Sequence, residues 1–354
     1  MKQLLVFVET LVVALVGVAV FTWVNIPLPW LIGSLTATAV WHVTTQRKLF
    51  WPVKFRVIAM MLLGYLTGSS FTEEAFLEMR DHIPSMIVIT IVTVAFSLLL
   101  GWMFSRLTGL DLTSCLMGSV PGGLSQIMLL LDEIKSVNPT IIMFLQSMRV
   151  MMIVIIVPII TVFMFGADTN TATPDNTASA TLWSDMPWFA FIVYPAMMIV
   201  AAWLLNRLRV PTSILLGPMI LTIILTLGGY PTPALPGSLV NLAQLFIGVH
   251  IGLEMQPRHL PNWKRTSAYT ALTVGVLVLF GIGIGYGLTF FYDIGYPTAL
   301  LSTAPGGMVE MGITAIAVGG DLSVVTSYQL FRLLSIMLVI PFFFKWLTQR
   351  RYES

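Results

Sequence analysis

The chain has 354 residues, of which 57% are hydrophobic and 10% are charged, and its mean hydropathy is +0.90. A water-soluble domain carries about 25% charged residues, so this composition excludes one and predicts an integral membrane protein. The net charge of +2 predicts no nucleic-acid-binding surface, and a single cysteine, Cys115, excludes an intramolecular disulfide or a cysteine metal cluster.

Apolar stretches long enough to cross about 30 Å of hydrocarbon recur along the chain. In chain order, the long ones predict spanning helices at 4–24, 83–105, 139–164, 186–206, 266–291 and 322–347. Shorter stretches, interrupted by glycine and proline, lie at 28–44, 55–71, 211–229 and 236–254, and two broken stretches lie at 111–131 and 296–318. The first stretch has features of a signal peptide, but its counterpart at 188–206 cannot be one, which favours a retained helix.

The chain contains an internal duplication. The motif Pro121-Gly122-Gly123 returns as Pro305-Gly306-Gly307, an offset of 184 residues. The same offset relates four further pairs: Pro27 and Pro211, Gly33 and Gly217, Gly64 and Gly248, Gly68 and Gly252. At an offset of 183, the residues Gln146, Arg149 and Pro158 return as Gln329, Arg332 and Pro341. Such a duplication in a membrane protein indicates a secondary transporter.

The charged loops indicate that the two repeats, 1–164 and 187–354, have opposite orientations. Basic residues mark the cytoplasmic side, which places loop 45–56 inside and the acidic loop near 71–82 outside. In the second repeat the equivalent of the first loop has no charge, and the basic residues follow the next span instead. The polar segment 165–186 lacks Lys and Arg and is predicted to be an external linker.

Opposite orientation requires an odd number of spans in each repeat. The sequence therefore predicts an all-α protein of about ten transmembrane helices, with both termini cytoplasmic, plus one Pro-Gly-Gly segment in each repeat. We expect this segment to form a re-entrant hairpin, because its broken backbone needs protein or water partners at membrane depth. The alternative is a pair of broken helices that cross near the middle of the membrane.

The Pro-Gly-Gly segments are the first candidates for a binding site. Glycine lets a ligand approach the backbone closely, the helix that restarts after the break offers N–H groups to an anion, and open carbonyls before it suit Na⁺. The alternative is a kink that only permits close helix packing. The candidate residues are Ser119, Pro121, Gly122, Gly123, Ser125 and Gln126 in the first repeat, and Thr303, Pro305, Gly306, Gly307 and Glu310 in the second.

A Gln-x-x-Arg pair follows each Pro-Gly-Gly segment, as Gln146 with Arg149 and as Gln329 with Arg332. A charge near the bilayer centre costs about 2.5–3.5 kcal/mol or more, so each arginine needs a partner or a cavity. The two readings are a clamp for an anionic substrate and a structural ion pair. The expected partners for an ion pair are Asp132, Glu133, Glu310 and Asp321.

Glu310 is the best single candidate for a coupling group, because its counterpart Gln126 cannot ionise. Burial away from water favours the proton-bound form of a carboxylate, so Glu310 could carry a proton. The alternative is a permanent ion pair with Arg332. His250 and Glu254, near the end of a span, are weaker candidates.

No enzyme signature is found, and no catalytic residue is predicted. The four histidines have no spacing suited to a zinc or copper site, and no nucleotide-binding glycine loop with a lysine is present. We expect no metal and no cofactor other than Na⁺ or H⁺ as a coupling ion.

The duplicated blocks resemble those of the AbrB-type bacterial membrane proteins, which are also labelled ammonia monooxygenases. The resemblance rests on IPLPWLIGSL with VPTSILLGPM, and on SVPGGLSQ with APGGMVEM followed by YQLFRLLSIMLVIP. These family names imply gene regulation or ammonia oxidation, but the sequence has neither a DNA-binding domain nor a copper ligand set. The chain is more distantly similar to inverted-repeat carboxylate symporters, which implies substrate or ion loops at 121–123 and 305–307 and a homodimer. The family pattern favours an acidic residue after Pro-Gly-Gly, and Gln126 departs from it.

These observations predict a transporter in the bacterial inner membrane that moves a small organic, anionic solute coupled to H⁺ or Na⁺. Its partners are then the lipid bilayer and the solute, with no nucleic acid. A second hypothesis is a membrane sensor that affects gene expression without transport. A third, a membrane monooxygenase, requires a bound metal.

Overall fold

Helices are the only regular structure in the described part of the chain. The computed structural model describes residues 2–47, 49–71, 73–121, 137–165, 190–208, 210, 212–230, 232–254 and 263–352. Within these ranges there is no β-strand, which agrees with the predicted all-α class. Hydrocarbon favours this result, because a helix satisfies its backbone N–H and C=O groups within its own segment.

The described helices follow each other in the order predicted by the apolar stretches. Before the linker they are α1 (Lys2–Trp23), α2 (Ser34–Thr45), α3 (Val53–Ser69), α4 (Glu73–Thr108), α5 (Leu112–Ser119) and α6 (Pro139–Phe165). After the linker they are α7 (Ala190–Arg207), α8 (Ser213–Leu227), α9 (Gly237–Glu254), α10 (Trp263–Leu288), α11 (Tyr296–Thr303), α12 (Met308–Ala317) and α13 (Leu322–Tyr352). A π-helical turn, Pro29–Gly33, precedes α2.

Five of the described helices are long and apolar enough to cross a membrane. Their spanning parts are Gln3–Trp23, Met79–Thr108, Pro139–Met164, Lys264–Leu288 and Leu322–Val339. Large apolar side chains are exposed on their surfaces and on α7, for example Trp23 (85%), Leu279 (67%) and Ile192 (63%). A water-soluble protein does not expose apolar area on this scale, so these surfaces face lipid. The count of about ten spans stays a prediction.

Two segments that the sequence predicts as loops are partly helical. The acidic segment near 71–82 belongs mostly to α4, which begins at Glu73, and Arg56 of the basic loop lies in the first turn of α3. Carboxylates in the first turns of a helix complement its macrodipole, which is one reason why α4 begins before its apolar span. The linker prediction, 165–186, lies outside the described residues except for its first residue.

The centre of the fold is a crossed packing of four helices, in which α3 contacts α8 and α2 contacts α9. Glycine allows the backbones to touch. A Cβ atom on Gly64 would collide with the carbonyl oxygen of Leu215, and one on Gly248 would lie 2.5 Å from that of Leu31. Gly252 repeats this contact one turn further along α9. Close approach at small residues is how helices associate where lipid removes the hydrophobic driving force.

A second group of helices carries the two broken segments. Helix α10 contacts α4 and α6, α13 contacts α4, and the rings of Phe96 and Phe280 stack with centroids 3.8 Å apart between α4 and α10. Helix α5 packs between α4 and α6, while α11 packs against α10 and α13.

The two ends of each broken segment lie next to each other. The backbone N–H of Asp321, at the start of α13, donates to Oγ1 of Thr298 in the first turn of α11 at 3.0 Å. The backbone N–H of Asn138, before α6, likewise donates to Oγ of Ser114 in the first turn of α5 at 2.8 Å. In the second case residues 122–136 are outside the described part, but both ends are placed. In the second repeat, where residues 296–322 are all described, the chain therefore forms a hairpin, whereas the geometry of the first broken segment stays a prediction.

We predict that Gly64→Ala destabilises the protein, whereas Gly283→Ala does not. The added Cβ at Gly64 meets backbone, and overpacking of this kind costs about 1–3 kcal/mol. At the exposed Gly283 nothing lies within 4 Å, so only the gain of about 0.5–1 kcal/mol in helix propensity remains. Thermal unfolding in detergent measures both. Equal unfolding temperatures for the two variants would contradict the tight crossing.

Candidate functional site

A cavity of about 240 Å³ lies between α3, α6, α9, α12 and α13. The cavity is lined by both helix breaks, through Pro121 on one side and Pro305, Gly306 and Gly307 on the other. Residues far apart in the sequence therefore converge on one space inside a bundle of apolar helices.

Both Gln-x-x-Arg pairs also line this cavity, from α6 and α13 respectively. Three residues separate Gln146 from Arg149 and Gln329 from Arg332, which puts each pair on one face of its helix. All four side chains are deeply buried; Arg149 is 5% exposed and Arg332 is 4% exposed.

Arg149 holds the end of α5. Its Nη1 donates to the carbonyl oxygens of Ser119 and Val120, each at 2.9 Å, and to that of Gly118 at 3.4 Å. The last carbonyls of a helix have no intrahelical partner and carry the negative end of its dipole. The guanidinium therefore supplies both the donor and the charge that this buried helix end requires.

Arg332 has the same role at α11, with more contacts. Nη1 donates to the carbonyl of Ala304 and Nη2 to that of Gly306, both at 2.8 Å, and Nη2 also donates to Oε1 of Gln329. Nε2 of Gln329 in turn donates to the carbonyls of Leu301 at 2.7 Å and Ala304 at 3.0 Å. Gln329 and Arg332 together supply donors to the carbonyls of Leu301, Ala304 and Gly306 at and after this helix end.

This arrangement differs from two of the expected ion pairs, those of the arginines with Glu310 and with Asp321. Among the described residues, no carboxylate lies within 4.0 Å of either guanidinium, and the side chain of Asp321 instead caps α13 by accepting from Ser323 and Val324. Asp132 and Glu133 lie outside the described residues. The physical reason is that a helix end offers several carbonyl oxygens at once, which match the fork of a guanidinium. The carbonyls expected to bind Na⁺ are likewise occupied by arginine.

Glu310 lies in the first turn of α12 with 9% of its surface exposed, and it lines the cavity. Its carboxylate folds back over Gly307, so closely that a Cβ atom on Gly307 would overlap Oε2. A carboxylate near a helix N-terminus is stabilised by the macrodipole. A side chain at position 307 would therefore displace the carboxylate of Glu310 from this position.

The hydroxyl groups before the breaks are not directed to the cavity. Ser119 donates to the carbonyl of Cys115 at 2.7 Å, and Thr303 donates to the carbonyl of Gly281 in α10 at 2.9 Å. Four predicted site residues, Gly122, Gly123, Ser125 and Gln126, lie outside the described residues.

The cavity is also lined by polar residues that the sequence analysis ranked as weaker candidates or did not include among the site residues. Nε2 of His250 lies 3.1 Å from Oε1 of Glu254, an ion-pair distance without a hydrogen bond. Arg56 and Thr212 complete this side. The sequence signal that could have identified Arg56 is its position in an apolar stretch. The signal for Thr212 is its equivalence to Leu28 at the offset of 184, and both residues have a left-handed backbone, with φ of 49° and 51°.

The family described as "Transition state regulatory protein AbrB" matches residues 30–348 of the chain. The chain belongs to this family. Among AbrB-family relatives, the Escherichia coli (strain K12) protein "Putative regulator AbrB" is 26% identical over 329 residues, which covers 91% of this chain and 90% of that protein. The Bacillus subtilis (strain 168) protein "Uncharacterized protein YhjN" is 24% identical over 357 residues, with 93% and 90% covered. No solved structure matches this AbrB-family chain.

We predict that Gln329→Met lowers the stability of the protein and that Gln146→Met does not. The first change removes the donor to two buried carbonyls, and buried groups left unsatisfied cost about 1–3 kcal/mol each. The second removes one contact of 3.5 Å together with an Oε1 atom that has no partner among the described residues. Thermal unfolding of the two variants is the measurement, and a larger loss for Gln146→Met would contradict the hydrogen-bond assignment.

Proposed function

We propose that the protein is a secondary transporter that moves a small organic anion across the bacterial inner membrane, coupled to H⁺. The observation that carries this proposal is the buried cavity, where two helix breaks and two arginines meet. Pockets for small ligands are concave and hold a few convergent polar groups, which describes this cavity.

The charge of the cavity favours an anion. Arg56, Arg149 and Arg332 line it against two carboxylates, Glu254 and Glu310, so the described lining carries an excess of positive charge when His250 is neutral. An uncompensated charge inside a membrane protein is costly and marks a pathway for an ion or substrate. An anionic solute would supply the missing charge.

The packing of the helices supports an inverted repeat of 1–164 and 187–354. Under the offset of 184, the contact of α3 with α8 becomes that of α9 with α2, and the contact of α6 with α10 becomes that of α13 with α4. The stacked rings of Phe96 and Phe280 are themselves equivalent positions. A pseudo-two-fold axis in the membrane plane produces such exchanges. Together with the switched loop charges it favours ten spans, two re-entrant hairpins and cytoplasmic termini.

The breaks favour H⁺ over Na⁺ as the coupling ion. The carbonyl oxygens at the ends of α5 and α11 accept from guanidinium groups, and a second cation would be repelled there. Glu310, by contrast, lies in the cavity with no ion-pair partner among the described residues. A carboxylate in this position can bind a proton together with the solute and release it on the other side.

The family description and the name of the E. coli relative favour a regulator as the second candidate function. A sensor would bind a solute in the same cavity without moving it across the bilayer. Purified protein in liposomes separates the two functions, with radiolabelled acetate, lactate and succinate as probes. A transporter accumulates a probe under an inward proton gradient and loses this accumulation with a protonophore, whereas a sensor binds a probe without accumulation.

We predict that Glu310→Gln abolishes uptake driven by a proton gradient while part of the solute exchange remains. The amide keeps the shape of the side chain but cannot carry a proton, and exchange of bound solute needs no net proton movement. Glu9→Gln is the matched control, because Glu9 lies in a spanning helix and pairs with Arg47 at 3.1 Å, away from the cavity. Uptake by Glu310→Gln that equals the wild type at every pH would remove Glu310 from the mechanism.

A further inference from the structure

The two buried arginines differ in how much of their hydrogen-bonding capacity is used. A guanidinium has five N–H donors, and its Nε–Nη2 edge binds a carboxylate with two parallel hydrogen bonds. Arg332 uses Nη1 and Nη2 for the helix end and for Gln329. Arg149, within the part of the chain that the structure describes, donates only through Nη1.

The Nε–Nη2 edge of Arg149 therefore has no hydrogen-bond partner among the described residues. Nε is fully buried and unsatisfied, and so is Oε1 of Gln146 one turn earlier. In the other repeat, Oε1 of the equivalent Gln329 accepts a hydrogen bond from Arg332, so the two side chains satisfy each other. Gln146 makes one contact of 3.5 Å with the carbonyl of Met117, and no hydrogen bond joins it to Arg149 among the described contacts.

Unsatisfied buried donors and acceptors are rare in folded proteins, and those that persist call for an explanation such as an absent ligand or ion. Both Gln146 and Arg149 line the cavity of about 240 Å³, so a molecule in that cavity lies beside them. A carboxylate meets the need of Arg149 in both charge and geometry, because its two oxygens match the two N–H groups of the free edge.

We propose that Arg149 is the residue that binds the carboxylate of the solute, and that Arg332 is a structural residue that fixes the second helix break. This proposal rests on the proposed function and assigns the two repeats different tasks. The substrate class that follows is small carboxylates, whose charged end contacts α6 and whose remaining atoms fill a space of about 240 Å³.

Matched substitutions, Arg149→Lys and Arg332→Lys, test this assignment, because lysine keeps the charge but not the paired donors. An ammonium group can replace the single nitrogen with which Arg149 reaches converging carbonyls, but it cannot replace the two nitrogens that Arg332 uses. Without ligand, we therefore expect Arg332→Lys to unfold at the lower temperature. Calorimetric titration with acetate, lactate and succinate should show at least a tenfold loss of affinity in Arg149→Lys, and a smaller loss in Arg332→Lys.

A second measurement does not depend on the solute. Phenylglyoxal forms bonds to the two terminal nitrogens, Nη1 and Nη2, of a guanidinium, and Nη2 donates to two oxygens in Arg332 but has no partner among the described residues in Arg149. Peptide mass spectrometry follows each arginine separately. We expect Arg149 to be modified faster than Arg332, and succinate to slow the modification of Arg149.

The outcomes separate this assignment from the proposed function. Uptake of a carboxylate with the larger affinity loss in Arg332→Lys, or with Arg332 modified first, overturns the assignment and leaves transport standing. If Arg149 is modified fast but no probe binds, the conclusion that its guanidinium has an unpaired edge stands. That result would overturn small carboxylates as the substrate class, whereas the proposed function is judged separately by accumulation of a solute in liposomes.

Discussion

The structure depends on the need of backbone carbonyls for donors where two helices stop inside the bundle. These helices, α5 and α11, end next to the cavity, and each leaves carbonyl oxygens without an intrahelical donor. Arg149 and Arg332 supply the donors from neighbouring helices. The breaks, the buried charges and the cavity are thus parts of one arrangement. A Pro-Gly-Gly break without its arginine would be unstable in a membrane, and the arginine without the break would have no partner.

The glycine crossings hold this arrangement at a fixed spacing. Because backbone touches backbone where Gly64 meets Leu215 and where Gly248 meets Leu31, α3 and α9 have little freedom to slide. The cavity lies beside these helices, and Arg56 and His250 project into it from them. The tightly packed helices α3 and α9 therefore contribute part of the cavity lining, and the broken segments contribute another part.

Much of this fold could be predicted from the sequence, because the duplication shows each important motif at two equivalent positions. The repeated spacing associated Gln146 and Arg149 with the first break, and composition placed them in a membrane. The ion-pair expectation fails for Glu310 and Asp321 for a specific reason, and it stays a prediction for Asp132 and Glu133, which lie outside the described residues. Carboxylate side chains can be read from a sequence as partners for arginine. Backbone carbonyls without a donor can be identified only when the residues at which the helices end are known. Arg56 was assigned to a loop because charge alone does not reveal that α3 begins at Val53. The unequal hydrogen bonding of the two arginines has no signal in sequences that match at both positions.

The closure of the second broken segment has a mechanical consequence. Its open end is tied by a hydrogen bond from the backbone N–H of Asp321 to the hydroxyl of Thr298, and in the first repeat Asn138 donates in the same way to Ser114. From that anchor, α11 extends its eight residues, or about 12 Å, to the break. A lever of this length converts a tilt of a few degrees at its base into a displacement of about an ångström at its tip. A small rearrangement at the base of α11 would thereby be amplified at Pro305 and Gly306, which border the cavity.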